Sequence, residues 1–328
     1  MAFRCSLKSL VVLVLLSAIP LSLIIALERT KSATHAYEYH SNGWLRECAK
    51  WDDQGRRFLV SLMEGGVSQL TVPDDQLPGA VLEEELVVRD ADVAGNGSLG
   101  IRVDRSRSRL LVVHADIIGN RYGALAAYDL RNWNRLFLTQ LSGPGDEKSL
   151  ADDVAVDDVG NAYITDAASN KIWKVGMNGE ILSIIRSPIF KQRKEWYYNL
   201  VGLNGIVYHP NGFLLVVHTA SGYLFKIDVV KEEISTVEIV KGSLSMGDGL
   251  DLLSPTQIVV AGTPSGRLVE SLDGWDTAKV VGRYVGPMHR LATSATLKDG
   301  RVYLNHMFGG GIPKRKHIIT EAVFRTLG

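Results

Sequence analysis

Six stretches of the chain share one alternation of apolar and polar positions. They are Glu47-Cys48-Ala49-Lys50-Trp51-Asp52, Leu99-Gly100-Ile101-Arg102-Val103-Asp104, Asp152-Asp153-Val154-Ala155-Val156-Asp157, Asn204-Gly205-Ile206-Val207-Tyr208-His209, Asp248-Gly249-Leu250-Asp251-Leu252-Leu253 and Thr293-Ser294-Ala295-Thr296-Leu297-Lys298. In each, the third and fifth residues are apolar, the period of two expected of a strand with one buried face. The second residue is mostly small, which permits close approach of another backbone. Successive stretches start about 44 to 53 residues apart, a spacing that suits four-stranded propeller blades. A polar turn, a second apolar strand, another turn and a third strand follow each stretch. The third copy shows this through the turn Asp157-Asp158-Val159-Gly160-Asn161, the strands Ala162 to Thr165 and Lys171 to Val175, and a fourth strand, Ile181 to Ile185, after Asn178-Gly179. The pattern predicts an all-β, six-bladed β-propeller. Separate β-sandwiches would not need one register throughout.

Length fits this reading, because 328 residues less an apolar N-terminus leave one large domain over residues 37–328. Lys+Arg and Asp+Glu are equal at 36 each, so no overall field draws the chain to nucleic acid or to an acidic membrane surface. A compact neutral substrate or a local charged pocket is expected instead. Of the two cysteines, Cys5 lies in the N-terminal segment, which leaves Cys48 without a disulfide partner in the body. The run Leu10 to Leu27 is apolar except for Ser17, Pro20 and Ser22 and is flanked by Arg4, Lys8, Arg29 and Lys31. Residues 1–36 therefore read as a signal peptide, with Ala33 and Ala36 as candidate cleavage positions, or as an uncleaved membrane anchor. Either form sends the body into the secretory pathway, secreted in the first case and held on the lumenal or extracellular side of a membrane in the second. Asn96-Gly97-Ser98 is a glycosylation sequon compatible with that route. The stretch Lys191 to Tyr198, charged and aromatic, reads as a loop between the third and fourth blades.

Candidate chemistry sits at the first position of the register, which reads Glu47, Leu99, Asp152, Asn204, Asp248 and Thr293. One such residue alone would serve as a turn or strand cap. In a propeller, however, every innermost strand starts at the same end of the central channel, so these side chains converge. Three carboxylates and an amide brought together call for a cation, and an all-oxygen set favours Ca²⁺, with another divalent cation also compatible. The second strands run back to that end and finish around Ser61, His114, Asp166, His218, Gly262 and His306. His114 and His218, each after Leu-Leu-Val-Val, are candidates to support the ligands or carry protons. There is no Gly-x-Ser-x-Gly elbow, and Phe308-Gly309-Gly310-Gly311 lacks the Gly-Lys-Ser/Thr ending of a phosphate loop and reads as a closing turn.

Glu47 before Trp51-Asp52, the block Ala151 to Asp157, Asn204-Gly205-Ile206 and Met246-Gly247-Asp248-Gly249-Leu250 together resemble the SMP-30/gluconolactonase/LRE-like propellers. The likeness spans residues 45 to 307 and is strongest toward the plant branch described as calcium-dependent phosphotriesterase-like. It implies an axial divalent cation, often calcium, held by Glu47, Asp152, Asn204 and Asp248. Asp152 departs from the family pattern, an acid in place of an amide, and Thr293 and Ser294 stand where some relatives place a catalytic His. The implied activity is hydrolysis of a small-molecule lactone or of a phosphate or carboxylic ester, with the cation as Lewis acid, Asp248 as base or nucleophile, and His114 or His218 carrying the proton. Two other readings stand beside it. One is a non-enzymatic propeller, anchored or secreted, that binds a ligand or protein around a structural calcium. The other is a strictosidine-synthase-like propeller, against which the lack of paired cysteines in the body weighs.

Overall fold

The computed structural model describes residues 34–73, 80–191, 201–264 and 266–327, together with 14, 16, 17, 20 and 22–27 of the N-terminal segment. The chain divides into Met1–Ala33 and the body Thr34–Gly328. Eight of the eighteen residues from Leu10 to Leu27, the run expected to target a membrane, lie outside the described residues, as does most of the Lys191-to-Tyr198 loop. Among the described residues, no helix is long and apolar enough to cross a membrane.

The body is built of antiparallel meanders. In the first, Arg46–Asp52, Arg57–Leu62, Val67–Thr71 and Glu84–Val88 pair in sequence order. The inner strands that open the following meanders are Gly97–Asp104, Ala151–Val156, Leu203–His209, Gly247–Ser254 and Ala292–Lys298. Each contains one of the six repeated stretches or most of it. The meanders opened by Leu203–His209 and Gly247–Ser254 join into one sheet through a parallel pairing of Glu238 with Thr277. Turn residues between strands are those the backbone requires: Asn170 and Gly179 sit at φ of 56° and 98°, in the left-handed region that Asn and Gly tolerate best.

One strand was not legible in the repeat. Ala36–Ser41, at the start of the body, pairs antiparallel with Arg315–Glu321 and so supplies the outer strand of the last meander. The first and last segments of the body are thereby fastened to each other, with Tyr39 opposite His317 and their rings stacked at 5.3 Å.

Cores form between meanders, not within them, because each sheet is apolar on both faces and buries both. Leu59, Val67 and Cys48 of the first pack on Ile101, Leu110 and Val112 of the second. Leu111, Val113 and Leu125 of the second pack on Val154, Ile164 and Trp173 of the third. The order continues around the body until Tyr303 and Ile319 of the last sheet, with Tyr37 and Tyr39 of the N-terminal strand, close on Trp51, Phe58 and Val60 of the first. At the centre the inner strands nearly touch. A Cβ on Gly205 would lie 2.2 Å from the Asp248 carbonyl oxygen, and one on Gly100 would lie 2.5 Å from the Asp153 Cα. Where the small residue is Ser294, its hydroxyl accepts a hydrogen bond from the Ala49 amide at 2.9 Å across the closure.

Gly205→Ala is expected to cost about 2 kcal/mol, the range of an overpacked core in which backbone must move. Urea unfolding that kept its wild-type midpoint in this variant would contradict the close approach described.

Candidate functional site

Every pairing of an inner strand with its neighbour carries a register shift at one equivalent place. The shifts fall between Arg46 and Ala49, Ser98 and Ile101, Ala151 and Val154, Leu203 and Ile206, Gly247 and Leu250, and Ala292 and Ser294. Strict alternation would put Glu47 on the same face as Ala49 and Trp51, inside a core. A β-bulge inserts one residue and reverses the alternation, so the first position of the register is re-aimed toward the axis.

The four residues expected to hold a cation are brought together there. Glu47, Asp152 and Asn204 are buried, and Asp248 is partly exposed. The Glu47 carboxyl is held well above the ordinary carboxylate range, by burial first and then by the charges of Asp152, Asp248 and Asp153. Asp152 is raised in the same way, by burial and then by Asp248, Asp153 and Asp166. Burial and then Asp153 push Asp248 up to about 7, against hydrogen bonds from the Asn204 side chain and the Gly249 amide that favour its ionised form. The second strands of neighbouring meanders also brace the backbone of these residues: the Thr165 hydroxyl donates to Asn204 O at 2.7 Å, and the Asn305 amide donates to Glu47 O at 3.0 Å.

Below this ring lies a second layer that the first position of the register did not reveal. Lys50 is buried and donates to Ala295 O at 2.7 Å and to Leu250 O at 3.3 Å, with its Nζ 4.0 Å from Asp251. Arg102 approaches Asp251 at 3.5 Å from another sheet. Asp153 receives the Val154 and Ile206 amides at 2.8 and 3.3 Å. Lys50, Arg102 and Asp251 all occupy the fourth position of the repeated stretch. Charge recurring there was the available signal.

The two histidines have other partners. His114 is buried with Nδ1 3.2 Å from the Ser98 hydroxyl and Nε2 3.4 Å from Tyr128 Oη, which itself donates to Asp90 at 2.9 Å. That chain leads to a cleft of about 460 Å³ lined by Asp90, Trp133 and Arg135. His218 Nδ1 accepts from the Ser221 amide at 3.4 Å. Burial lowers both imidazoles to about 4, so both are neutral near pH 7. The residue across from Arg46 is Leu62, so Leu62, not Ser61, is the counterpart of His114 and His218 in the first meander.

Among the described residues, no three His, Cys, Asp or Glu side chains already enclose an ion-sized space. The donor set nevertheless fits a hard divalent cation. Glu47 Oε2 is buried without a hydrogen-bond partner, in a cluster of carboxylates that repel one another and lack enough counter-charge. Buried polar atoms are rarely left so. Oxygen donors with no sulfur or imidazole among them suit calcium.

Sheets packed face to face around an axis, with polar residues converging at one end of it, define a β-propeller. No family model matches the sequence, and neither does any curated protein sequence. Solved structures match as folds. The major Malassezia sympodialis allergen Mala s 1 is similar with a TM-score of 0.66 and 16% identity over 87% of this chain and 96% of that one. Streptogramin B lyase gives 0.53 and 11% over 88% and 98%, and a chain of the nidogen/laminin complex gives 0.55 and 15% over 81% and 98%. These neighbours are propeller proteins, and this chain has a propeller fold.

A pH signature follows from the carboxylate ring. With its pKa raised from 3.8 to about 7, Asp248 contributes stability that is fully present below about pH 4 and is lost as pH rises through 7. The depressed His114 and His218 act oppositely, their contribution being lost as pH falls from 6.5 through about 4. Asp248→Asn isolates the first effect. In chelator, the variant is expected to match wild type at about pH 4 and below and to exceed it near pH 8 by on the order of 4 kcal/mol. Parallel stability curves at the two pH values would remove the carboxylate coupling.

Proposed function

We propose that the chain is a six-bladed propeller of the SMP-30/gluconolactonase/LRE-like kind, acting as a calcium-dependent hydrolase of a lactone or of a phosphate or carboxylic ester. The observation that carries this reading is the unpartnered, buried Glu47 Oε2 beside Asp152, Asn204 and Asp248 at one end of the inner strands. Resemblance of the motifs around these residues adds the reaction class.

Glu47, Asp152, Asn204 and Asp248 would hold the cation. Calcium bound there supplies Lewis acidity toward a carbonyl or phosphoryl oxygen. Asp152, with its additional charge, strengthens attraction for a cation and by the same charge lessens the electron-withdrawing pull left for substrate. Asp248 takes the proton of the attacking water, or attacks directly. A cation there would keep its carboxylate ionised and able to accept a proton, and the Asn204 side chain orients it. Lys50 and Arg102 hold Asp153 and Asp251 as neutralising neighbours beneath the ring, which limits the repulsion among the ligands. His114, committed to Ser98 and Tyr128, takes no part in this scheme, and His218 secures the turn that follows its strand. In this reading, residues 1–36 deliver the body to the secretory pathway.

Purified body is expected to bind calcium by calorimetry, and Glu47→Gln to weaken that binding at least tenfold without unfolding the protein. Turnover in a screen of lactones, carboxylic esters and phosphotriesters should vanish in chelator and return with calcium. Asp248→Asn should reduce it by about 10²-fold or more, the range of a lost general base. Calcium binding with no turnover on any of these substrates would replace the hydrolase with a ligand-binding propeller. Unchanged turnover in Asp248→Asn would remove Asp248 from the reaction.

A further inference from the structure

Between the outer strands of the first two meanders lies a cleft of about 460 Å³, a volume ordinary for a small-molecule site. One wall is Val87 and Val88 of the strand Glu84–Val88 with the connection from Arg89 to Asp92. The other is Tyr128 with the turn residues Trp133, Asn134 and Arg135. Glu47, Asp152, Asn204 and Asp248 stand on inner strands, and none of them lines this cleft.

The back of the cleft is fixed by hydrogen bonds. Arg135 Nη1 donates to both oxygens of Asp90 at 2.8 Å, the Asp92 amide donates to Asp90 at 3.1 Å, and Arg135 Nη2 donates to Asp92 at 2.7 Å. Asp90 is ionised against Arg135, so the Tyr128 hydroxyl gives it its only proton, at 2.9 Å. His114 Nε2 at 3.4 Å is then the donor to Tyr128 Oη, and the neutral ring leaves Nδ1 to accept from Ser98 Oγ at 3.2 Å. Ser98 Oγ itself accepts from the Gly66 amide at 2.9 Å. Tyr128, His114 and Ser98 are buried, so this wall is preset before any ligand arrives.

What remains for a ligand is a mixture of donors, acceptors and one aromatic ring. Arg89 and Asn134 are exposed, and among the described residues their side chains have no hydrogen-bond or ion-pair partner. Trp133 is half-buried at φ 62°, a left-handed conformation that costs a tryptophan energy and is kept where the surroundings impose it. The Arg57 guanidinium covers its ring at 4.6 Å and is anchored by Asp52 at 3.0 Å and Leu130 O at 2.8 Å. Trp275, on the same turn of the fifth meander, is instead buried, with Nε1 donating to Pro255 O at 3.0 Å. Trp133 Nε1 has no such acceptor among the described residues, and its indole borders the cleft. Charge in the cleft balances, Asp90 and Asp92 against Arg89 and Arg135, so no net field favours an ionic ligand.

We propose that this cleft binds a neutral saccharide of disaccharide size. A sugar hydroxyl both donates and accepts, so one kind of group serves the Arg89 and indole donors, Asp92 Oδ1 and both ends of the Asn134 amide. The C–H face of a pyranose suits the part of the indole that Arg57 leaves uncovered. Calorimetric titration of the full chain with maltose, cellobiose, lactose and glucose tests this. At least one disaccharide should bind saturably and more tightly than glucose, with equal affinity in calcium and in chelator. Trp133→Ala should weaken binding about tenfold, and Trp133→Phe, which keeps a ring, by no more than about threefold. Arg89→Ala and Asn134→Ala should each weaken it about threefold, the loss of one hydrogen bond, without lowering Tm. Trp44→Ala, at a tryptophan exposed far from the cleft in sequence, should leave it unchanged. Absence of affinity for all four sugars overturns the proposal, as does wild-type affinity in Trp133→Ala and in Arg89→Ala. Tighter binding of glucuronate or glucosamine than of glucose overturns the neutral class. Saccharide binding that requires calcium also overturns it and moves the sugar to the carboxylates.

Discussion

Around the axis, backbone meets backbone. The carbonyl of Asp248 stands where a Cβ of residue 205 would be, the carbonyl of Thr293 lies 2.7 Å from a Cβ position on Gly249, and the Asp153 backbone closes on Gly100. Much else follows from this proximity. It favours a residue without bulk at the second position of the repeated stretch, as at Gly100, Gly205 and Gly249, or one whose side chain becomes a hydrogen-bond partner, as at Ser294 and Asp153. It also draws the residue before it, the first of the register, toward its counterparts on other sheets. A wider centre would leave Glu47, Asp152 and Asp248 too far apart to influence one another's ionisation. The bulge in each inner strand works with this packing: proximity supplies the distance, and the change of register supplies the direction.

The arrangement sets stability against function. Carboxylates buried near one another oppose folding in their ionised forms, and their pKa values rise in response. Lys50 and Arg102 in the layer beneath limit that opposition. Strength for holding the ring closed comes from the apolar faces between sheets and from the N-terminal strand laid on Arg315–Glu321. The two are joined at Trp51, Phe58 and Tyr37, which pack across the same junction whose inner strands carry Glu47 and Thr293. The Thr293 hydroxyl donates to Glu47 O there, so closure of the ring and placement of Glu47 share atoms.

Three residues before Glu47 and two before Asp248 the chain changes character, from oxygen donors to the exposed apolar side chains of Trp44 and Met246. Propellers make this combination easily, because residues only two or three positions apart along a strand and its preceding loop differ in height along the axis. The polar layers are set by strand positions braced on both sides, whereas these apolar residues belong to loops, which vary without disturbing the sheets.

The alternation of Ala49 with Trp51, Ile101 with Val103 and their counterparts determined, from sequence alone, that the chain makes repeated two-faced strands. The acids and amide at one repeat position marked a convergent site for the same reason, since equivalent positions in a cyclic repeat share a height on the axis. Three features needed the tertiary structure. Alternation by itself assigns Glu47 to the face of Ala49, and only the bulge, a property of how two strands pair, turns it to the axis. Lys50, Arg102 and Asp251 come from separate sheets and become one layer only when those sheets surround a common centre. Ala36–Ser41 contains Tyr37 and Tyr39 at strand spacing, but its place beside Arg315–Glu321 depends on a partner almost the whole chain away, a choice made by the closing of the ring and not by any local preference.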